Sequence, residues 1–308
     1  MACVPFRDTR TTKAFGMLTG SIVALVTPMQ LDGSLDWGAL DRLIEWHIES
    51  GTHAIVPMGT TGESATLTTE EHLQVIKRTI DVVAGRIPVI AGTGSNATDE
   101  ALHQTQEAQR LGADACLVVT PYYNRPTQEG LYQHYKAIAA ATSLPIVLYN
   151  VPPRTGCDMG AETVARLAEI DGIIGVKEAC GDIHRVAAIK DRVAEDFFVL
   201  SGEDAQTLQM LELGAVGTIS VTANVLPSLM AEFCNSFLTG DTARAIQVDE
   251  WLQPVHEILF VESSPTPTKW ALSDLGRTQA GIRLPLIPLS IEYHQAVRER
   301  IAAAGAYA

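Results

Sequence analysis

Eight short, apolar, β-branched runs recur along this chain, each followed by a segment with apolar residues at helical spacing. The runs are SIVALVTPM, HAIVPMG, IPVIAGTG, ACLVVTPYY, PIVLYNVP, IIGVKEA, FFVLSGED and VGTISVTA. Segments such as WGALDRLIEWHIES and EEHLQVIKRTIDVV lie between them, and their apolar positions three and four apart make one face of a helix. The runs are continuous rather than alternating, so both faces of the sheet they form must be covered. Eight parallel strands with helices between them close into an α/β fold, the (β/α)8 or TIM barrel. The competing arrangement, a doubly wound open sheet, wants a glycine-rich turn after its first strand. AGTGSNATDE has two glycines but neither the dinucleotide spacing nor the Gly-Lys-Ser/Thr of a phosphate loop.

Local signals agree with that frame. Thr68-Thr69-Glu70-Glu71 and Thr98-Asp99-Glu100 read as a helix cap followed by an acidic first turn. Gly51, Gly112 and Gly214 follow helical runs, as helix-ending glycines do. After about residue 225 the strand-like runs stop. The expected division is a disordered tail over 1–16, a catalytic barrel over 17–240, and a C-terminal helical extension over 241–308. Pro254, Pro265, Pro267, Pro285 and Pro288 mark its expected joints.

The formal net charge is −14. So acidic a chain is poorly matched to nucleic acid, where lysine and arginine must neutralise phosphates, and to anionic membrane surfaces. Only 19% of residues are charged, which points to much surface buried in a large core or between subunits. No apolar stretch approaches the roughly 18 residues of a membrane span. The opening residues, MACVPFRDTRTTKAFG, hold Arg7, Arg10 and Lys13 but no apolar signal region. Cys3, Cys116, Cys157, Cys180 and Cys234 are odd in number and widely spread. That spacing suits reduced thiols in a cytoplasmic protein better than disulfides or zinc, and the histidines show no metal spacing either.

In a barrel of this kind the chemistry sits at the C-terminal ends of the strands. Thr60-Thr61 follows the second run and Tyr122-Tyr123 the fourth; Tyr149-Asn150 ends the fifth, with Arg154 just beyond. Lys177-Glu178 ends the sixth, Ser201-Gly202-Glu203 the seventh, and Ile219-Ser220 lies in the eighth. The stretch GIIGVKEACGD surrounds Lys177 with apolar neighbours, an unfavourable place for an ammonium ion unless it is paired or gives up its proton. A desolvated lysine amine favours its neutral form, which can add to a ketone or aldehyde as a nucleophile. The imine becomes an iminium ion that acidifies the neighbouring carbon. A tyrosine on the adjacent strand, Tyr149, can shuttle the protons.

Each residue also has a plain structural reading. Lys177 could snorkel to water or pair with Glu178, and Tyr149 could be a core aromatic. Thr60 and Thr61 could cap a helix. Tyr122 and Tyr123 could be an interface pair, Arg154 a surface residue near Asp158, and Cys180 inert packing. Together, they converge on one rim.

GTTGESATL (59–67), TPYYNRPTQEGLYQHYKAIA (120–139), LYNVPPRTG (148–156), GVKEA (175–179) and GTISVTANV (217–225) resemble the dihydrodipicolinate synthase family, also called 4-hydroxy-tetrahydrodipicolinate synthases. The likeness runs from about Leu18 to the C-terminus. It implies Lys177 as the Schiff-base lysine for pyruvate and Tyr149 as proton donor and acceptor. It implies Thr60 and Tyr123 as a proton relay, with Tyr123 reaching in from a neighbouring subunit. Thr61 and the backbone of Ile219 would contact pyruvate, Gly202 would form the loop facing the lysine, and Arg154 would receive the carboxylate of aspartate semialdehyde. No cofactor beyond the Schiff base and no metal is implied. The expected assembly is a homotetramer built as a dimer of dimers. Family members that respond to lysine bind it at positions falling here on Ser64, Ala65, His72, Asn96, Glu100 and Tyr122. Thr69 stands where some of these have histidine, and Cys180 where a small hydroxyl residue is common.

The expected reaction is condensation of pyruvate with L-aspartate 4-semialdehyde, the entry to the diaminopimelate route to lysine. The resemblance extends to pyruvate lyases of N-acetylneuraminate or 2-keto-3-deoxy sugar acids, which would share Lys177 and Tyr149. Thr60-Thr61 and Arg154 favour the synthase. A non-catalytic keto-acid-binding barrel is the other alternative.

Overall fold

The structure, a computed structural model, describes residues 18–305; the tail expected over 1–16 lies outside them. Its first half runs β1 (Gly20–Ala24), α1 (Trp37–Glu49), β2 (Ala54–Val56), α2 (Thr69–Val83), β3 (Ile90–Gly92), α3 (Thr98–Leu111), β4 (Ala115–Val119) and α4 (Gln128–Ala140). The second half runs β5 (Ile146–Asn150), α5 (Pro152–Thr155), α6 (Ala161–Ala168), β6 (Ile173–Glu178), α7 (His184–Lys190), β7 (Phe198–Ser201), α8 (Thr207–Glu212) and β8 (Gly217–Ser220). Four further helices follow: α9 (Pro227–Leu238), α10 (Thr242–Ile258), α11 (Thr266–Asp274) and α12 (Ile291–Ala303).

The strands form one parallel sheet in the order β2-β1-β8-β7-β6-β5-β4-β3. A parallel bridge between Ile55 and Val89 joins the two ends, and the Ile55 amide donates to the Pro88 carbonyl at 3.0 Å. The (β/α)8 barrel is therefore closed.

Alternation along each strand explains the continuous apolar runs. Ile22, Val56, Ile90, Leu117, Val147, Phe198, Leu200 and Ile219 fill the barrel interior. Their neighbours Val23, Ile55, Ala91, Val118, Leu148, Val176 and Val199 pack outward under the helices. Both faces are dry, so both carry apolar side chains. Lys177 follows outward-packed Val176, and the period of two turns it inward.

Capping follows the sequence in part. Thr68 and Glu71 form a reciprocal capping box at α2, and Gly112 ends α3 in the left-handed region. Thr98, expected as the cap of α3, is instead its first residue, behind Ala97. Its hydroxyl is engaged by His134 Nδ1 at 2.9 Å. Pro254, expected at a joint, lies inside α10. No helix among the described residues is long and apolar enough to cross a membrane.

One buried ion pair ties the C-terminal helices to the barrel rim. Lys269 of α11 bonds Glu63, in the turn after β2, and both side chains are almost wholly buried. The Arg283 amide also donates to Glu63 at 3.2 Å. Removing one member of such a pair strands the other charge. Lys269→Ala is expected to lower the unfolding free energy by about 3–5 kcal/mol, read from reversible denaturant unfolding. The double change Lys269→Met with Glu63→Gln should recover most of that loss. A single change costing under about 1 kcal/mol would contradict the assignment.

Candidate active site

Lys177 and Tyr149 are register partners on β6 and β5, so the sheet itself sets them side by side. Lys177 is only 5% exposed, and its Nζ lies 4.3 Å from the centre of the Tyr149 ring. Both line a cavity of about 50 Å³ together with Thr60, Thr61, Arg154, Gly202 and Glu203. Thr60, Thr61, Tyr149, Arg154, Lys177, Gly202 and Glu203 thus meet at one place, at the C-terminal ends of four strands.

The turn after β2 presents the threonines. Gly62 donates to the Gly59 carbonyl and Glu63 to the Thr60 carbonyl, each at 3.1 Å, which folds the segment tightly back. At the end of β7, Gly202 donates its amide to the Glu178 carbonyl at 2.7 Å. A Cβ built at Gly202 would sit 2.9 Å from Lys177 Cε, so the absence of a side chain leaves room for the lysine. Ile219 is buried in β8 beside Ile22 and is not among the residues lining this cavity; Val221 is.

Tyr123 does not join the cavity of its own chain. It is 89% exposed with φ at +73°, a strained conformation for a bulky residue. The amide of Tyr123 donates to the Thr155 carbonyl at 3.2 Å, which anchors the turn and leaves the ring projecting outward. Tyr122 beside it is half-exposed and faces a second, larger cavity.

That second cavity holds about 370 Å³ and is lined by Ser64, Ala65, Thr69, His72, Glu100 and Tyr122, among others. Asn96 is not one of the lining residues; its carbonyl accepts from Asn124 Nδ2 at 2.8 Å. Glu100 accepts from Ser95 Oγ at 2.6 Å. Burial lowers the affinity of His72 for a proton, and its Nε2 lies 2.7 Å from the Gly92 carbonyl, so the neutral ring donates there. Thr60, Val151 and Arg154 line both cavities.

Several residues with no supporting role assigned from sequence surround the site. Behind the Tyr149–Lys177 pair, on the outward face, Asn150 and Glu178 are also register partners. Asn150 Nδ2 donates to Glu178 at 3.0 Å and to Asp158 at 2.8 Å. Burial pushes the Glu178 carboxyl up to about 7. Asp158 pairs with Arg185 at 2.9 Å; Arg154 instead reaches the Ser264 carbonyl, at 3.5 Å. Asp204 accepts from the amides of Val221 and Thr222 at 2.9 and 2.8 Å, joining the loops after β7 and β8. Phe260 and Ser264 bring the helical extension into the cavity wall. The adjacent strand ends were a signal for Asn150 and Glu178. Nothing local marked Phe260 or Ser264. Cys180 is partly buried, which pushes its thiol up to about 11.

Residues 17–304 match the profile of the Dihydrodipicolinate synthetase family. The chain belongs to this family. It is 56% identical over 289 residues to the 4-hydroxy-tetrahydrodipicolinate synthase of Pseudomonas putida (strain W619), covering 94% of this chain and 99% of the relative. Among solved dihydrodipicolinate synthases, the chloride-inhibited enzyme of Acinetobacter baumannii complexed with pyruvate superposes with a TM-score of 0.92. The two are 53% identical, covering 94% of this chain and 99% of that one. The family enzyme of Cyanidioschyzon merolae, solved with lysine bound, gives a TM-score of 0.91 at 39% identity, covering 94% and 99%.

Proposed function

We propose that this chain is a lyase that condenses pyruvate with L-aspartate 4-semialdehyde to 4-hydroxy-tetrahydrodipicolinate, in the diaminopimelate route to lysine. The observation that carries this reading is the buried Lys177 amine against the Tyr149 ring, in a cavity that Arg154 also lines. The Lys177 amine adds to the keto carbon of pyruvate and water leaves. The resulting iminium ion acidifies the methyl carbon, the Tyr149 relay takes a methyl proton to leave a neutral enamine, and the enamine attacks the aldehyde. Tyr149 hands protons to and from the oxygens, with Thr60 and a partner's tyrosine as relay. The substrate amine then closes the ring and releases Lys177. Thr61 and the Ile219 backbone hold pyruvate, and Arg154 holds the aldehyde's carboxylate through paired hydrogen bonds. The iminium ion is itself the electron sink, so the reaction calls for no cofactor or metal. The setting is the cytoplasm, where thiols such as the four free described cysteines stay reduced.

A coupled assay of pyruvate with a panel of aldehydes tests the reading. Aspartate semialdehyde should be turned over fastest. Faster turnover of N-acetylmannosamine, or of a simple sugar aldehyde, would overturn it.

The assembly proposed is a homotetramer, a dimer of dimers, in which Tyr123 enters the neighbour's site. Its strained, exposed placement supports this. Mixing Tyr123→Phe and Lys177→Ala subunits, each inactive alone, should restore activity, because one site of a mixed dimer keeps both groups. No recovery despite demonstrated subunit exchange would count against sharing.

The larger cavity is proposed as a site where lysine inhibits the enzyme. Glu100 offers a carboxylate for an ammonium group, and Tyr122 offers a donor for a carboxylate; Thr69 in place of histidine should weaken the response. Calorimetry should show lysine binding to wild type and a loss of it in Glu100→Thr. Wild-type activity unchanged up to millimolar lysine would sink the idea.

A further inference from the structure

The aldehyde substrate proposed above carries three groups that a site can read: an aldehyde, a carboxylate and an ammonium. Lys177 chemistry uses the first and Arg154 the second. Neither distinguishes this amino acid from the same aldehyde acid without its amine. Within that reading of the function, we propose that Glu203 binds the ammonium group and is the residue that selects an amino-acid aldehyde.

Four observations support the assignment. Glu203 lines the same cavity as Lys177 and Arg154. It follows Gly202, whose missing Cβ would lie 2.9 Å from Lys177 Cε, so the chain passes against the reacting lysine just before Glu203. Its backbone is fixed: the amide donates to Ser201 Oγ at 3.2 Å, and the carbonyl accepts from Ser201 Oγ and Thr207 Oγ1 at 3.0 and 3.1 Å. Among the described residues nothing hydrogen-bonds to its carboxylate, whereas Asp204 beside it is held through Oδ2 by the amides of Val221 and Thr222.

The charges around Glu203 suit a cationic ligand. Burial raises its affinity for a proton, Lys177 and Arg154 oppose that shift, and Asp204 adds to it. When Lys177 is consumed as a neutral enamine, one of the two opposing cations is gone. A carboxylate that has just lost a positive neighbour is a better host for an incoming ammonium. Arg154 is then free to pair with the substrate carboxylate, so the zwitterionic end of the substrate meets one group of each sign.

The test compares aspartate semialdehyde with succinate semialdehyde, which keeps the aldehyde and carboxylate and lacks the amine. In the full-length enzyme at saturating pyruvate, Glu203→Gln should raise KM for aspartate semialdehyde on the order of 10- to 100-fold, the scale of losing one charge-assisted hydrogen bond. The inhibition constant of succinate semialdehyde should stay unchanged or fall. Glu203→Asp should keep most of the preference for the amino acid. The borohydride-trapped pyruvate adduct, measured by mass, should form normally in both variants. If both ligands weaken together, or neither moves, Glu203 does not read the ammonium. Loss of the adduct in Glu203→Gln alone would assign the residue to the pyruvate step instead. Absence of the adduct in wild type would overturn the proposed function beneath the assignment.

Discussion

Lys177→Ala is expected to keep its fold and to lose turnover on the order of 10⁴-fold or more, the scale seen when a covalent nucleophile is removed. Lys177 is the only lysine lining the cavity among the described residues. Lys269, the nearest in sequence among the buried ones, is committed to Glu63 and cannot substitute. Without the amine no iminium ion forms, and the pyruvate methyl carbon keeps the weak acidity of a simple ketone. Truncation removes the Lys177 side chain from the face of Tyr149 and breaks none of the ion pairs among the described residues, so the barrel should not be destabilised severely. Steady-state turnover beside a thermal melt checks both halves. Activity above about a hundredth of wild type in a folded Lys177→Ala chain would place the chemistry elsewhere.

Gly202→Ala should reduce turnover by roughly 10²-fold, the scale for displacing a reacting group by about 1 Å. The added Cβ would lie 2.7 Å from Ala179 Cβ, 2.9 Å from Lys177 Cε and 3.1 Å from the Glu178 carbonyl. Two of these neighbours are held by the sheet, through the Glu178 carbonyl's bond to Gly202 and the Ala179 amide's bond to Asn150. The Lys177 side chain yields most readily, and the shorter Ala179 contact is relieved only by a small shift of the backbone after β7. Gly202 is not among the glycines with positive φ, so the effect is steric contact with the nucleophile rather than backbone strain. The trapped adduct should form slowly, with the melting temperature shifted far less than the rate. Wild-type kinetics in this variant would mean that the lysine works from another rotamer.

The barrel was legible because both faces of every strand are dry, which writes eight continuous apolar runs into the chain. The runs overstate the strands: SIVALVTPM spans nine residues, and β1 is Gly20–Ala24. Beyond Ala24 the chain leaves the sheet while staying buried, and burial alone keeps it apolar. Lys177 was legible for the opposite reason, as a charge where the pattern demands an apolar residue. Lys269 carries the same anomaly, but its explanation, Glu63, lies 206 residues away and no local pattern links them. Phe260 and Ser264 reach the cavity only because the helices after β8 fold back over the rim. Tyr149 with Lys177, and Asn150 with Glu178, show how much register adds: two adjacent strand ends place one pair inside the barrel and one pair outside it.

The central claim is that the Lys177 amine bonds covalently to pyruvate. Treating the enzyme with pyruvate and borohydride, then mapping the modified peptide by mass, tests it most directly. The expected result is one reduced pyruvate adduct per chain, on Lys177, with activity lost in proportion. An adduct on Lys136 or Lys190, or an unmodified chain that is still fully active, would contradict it.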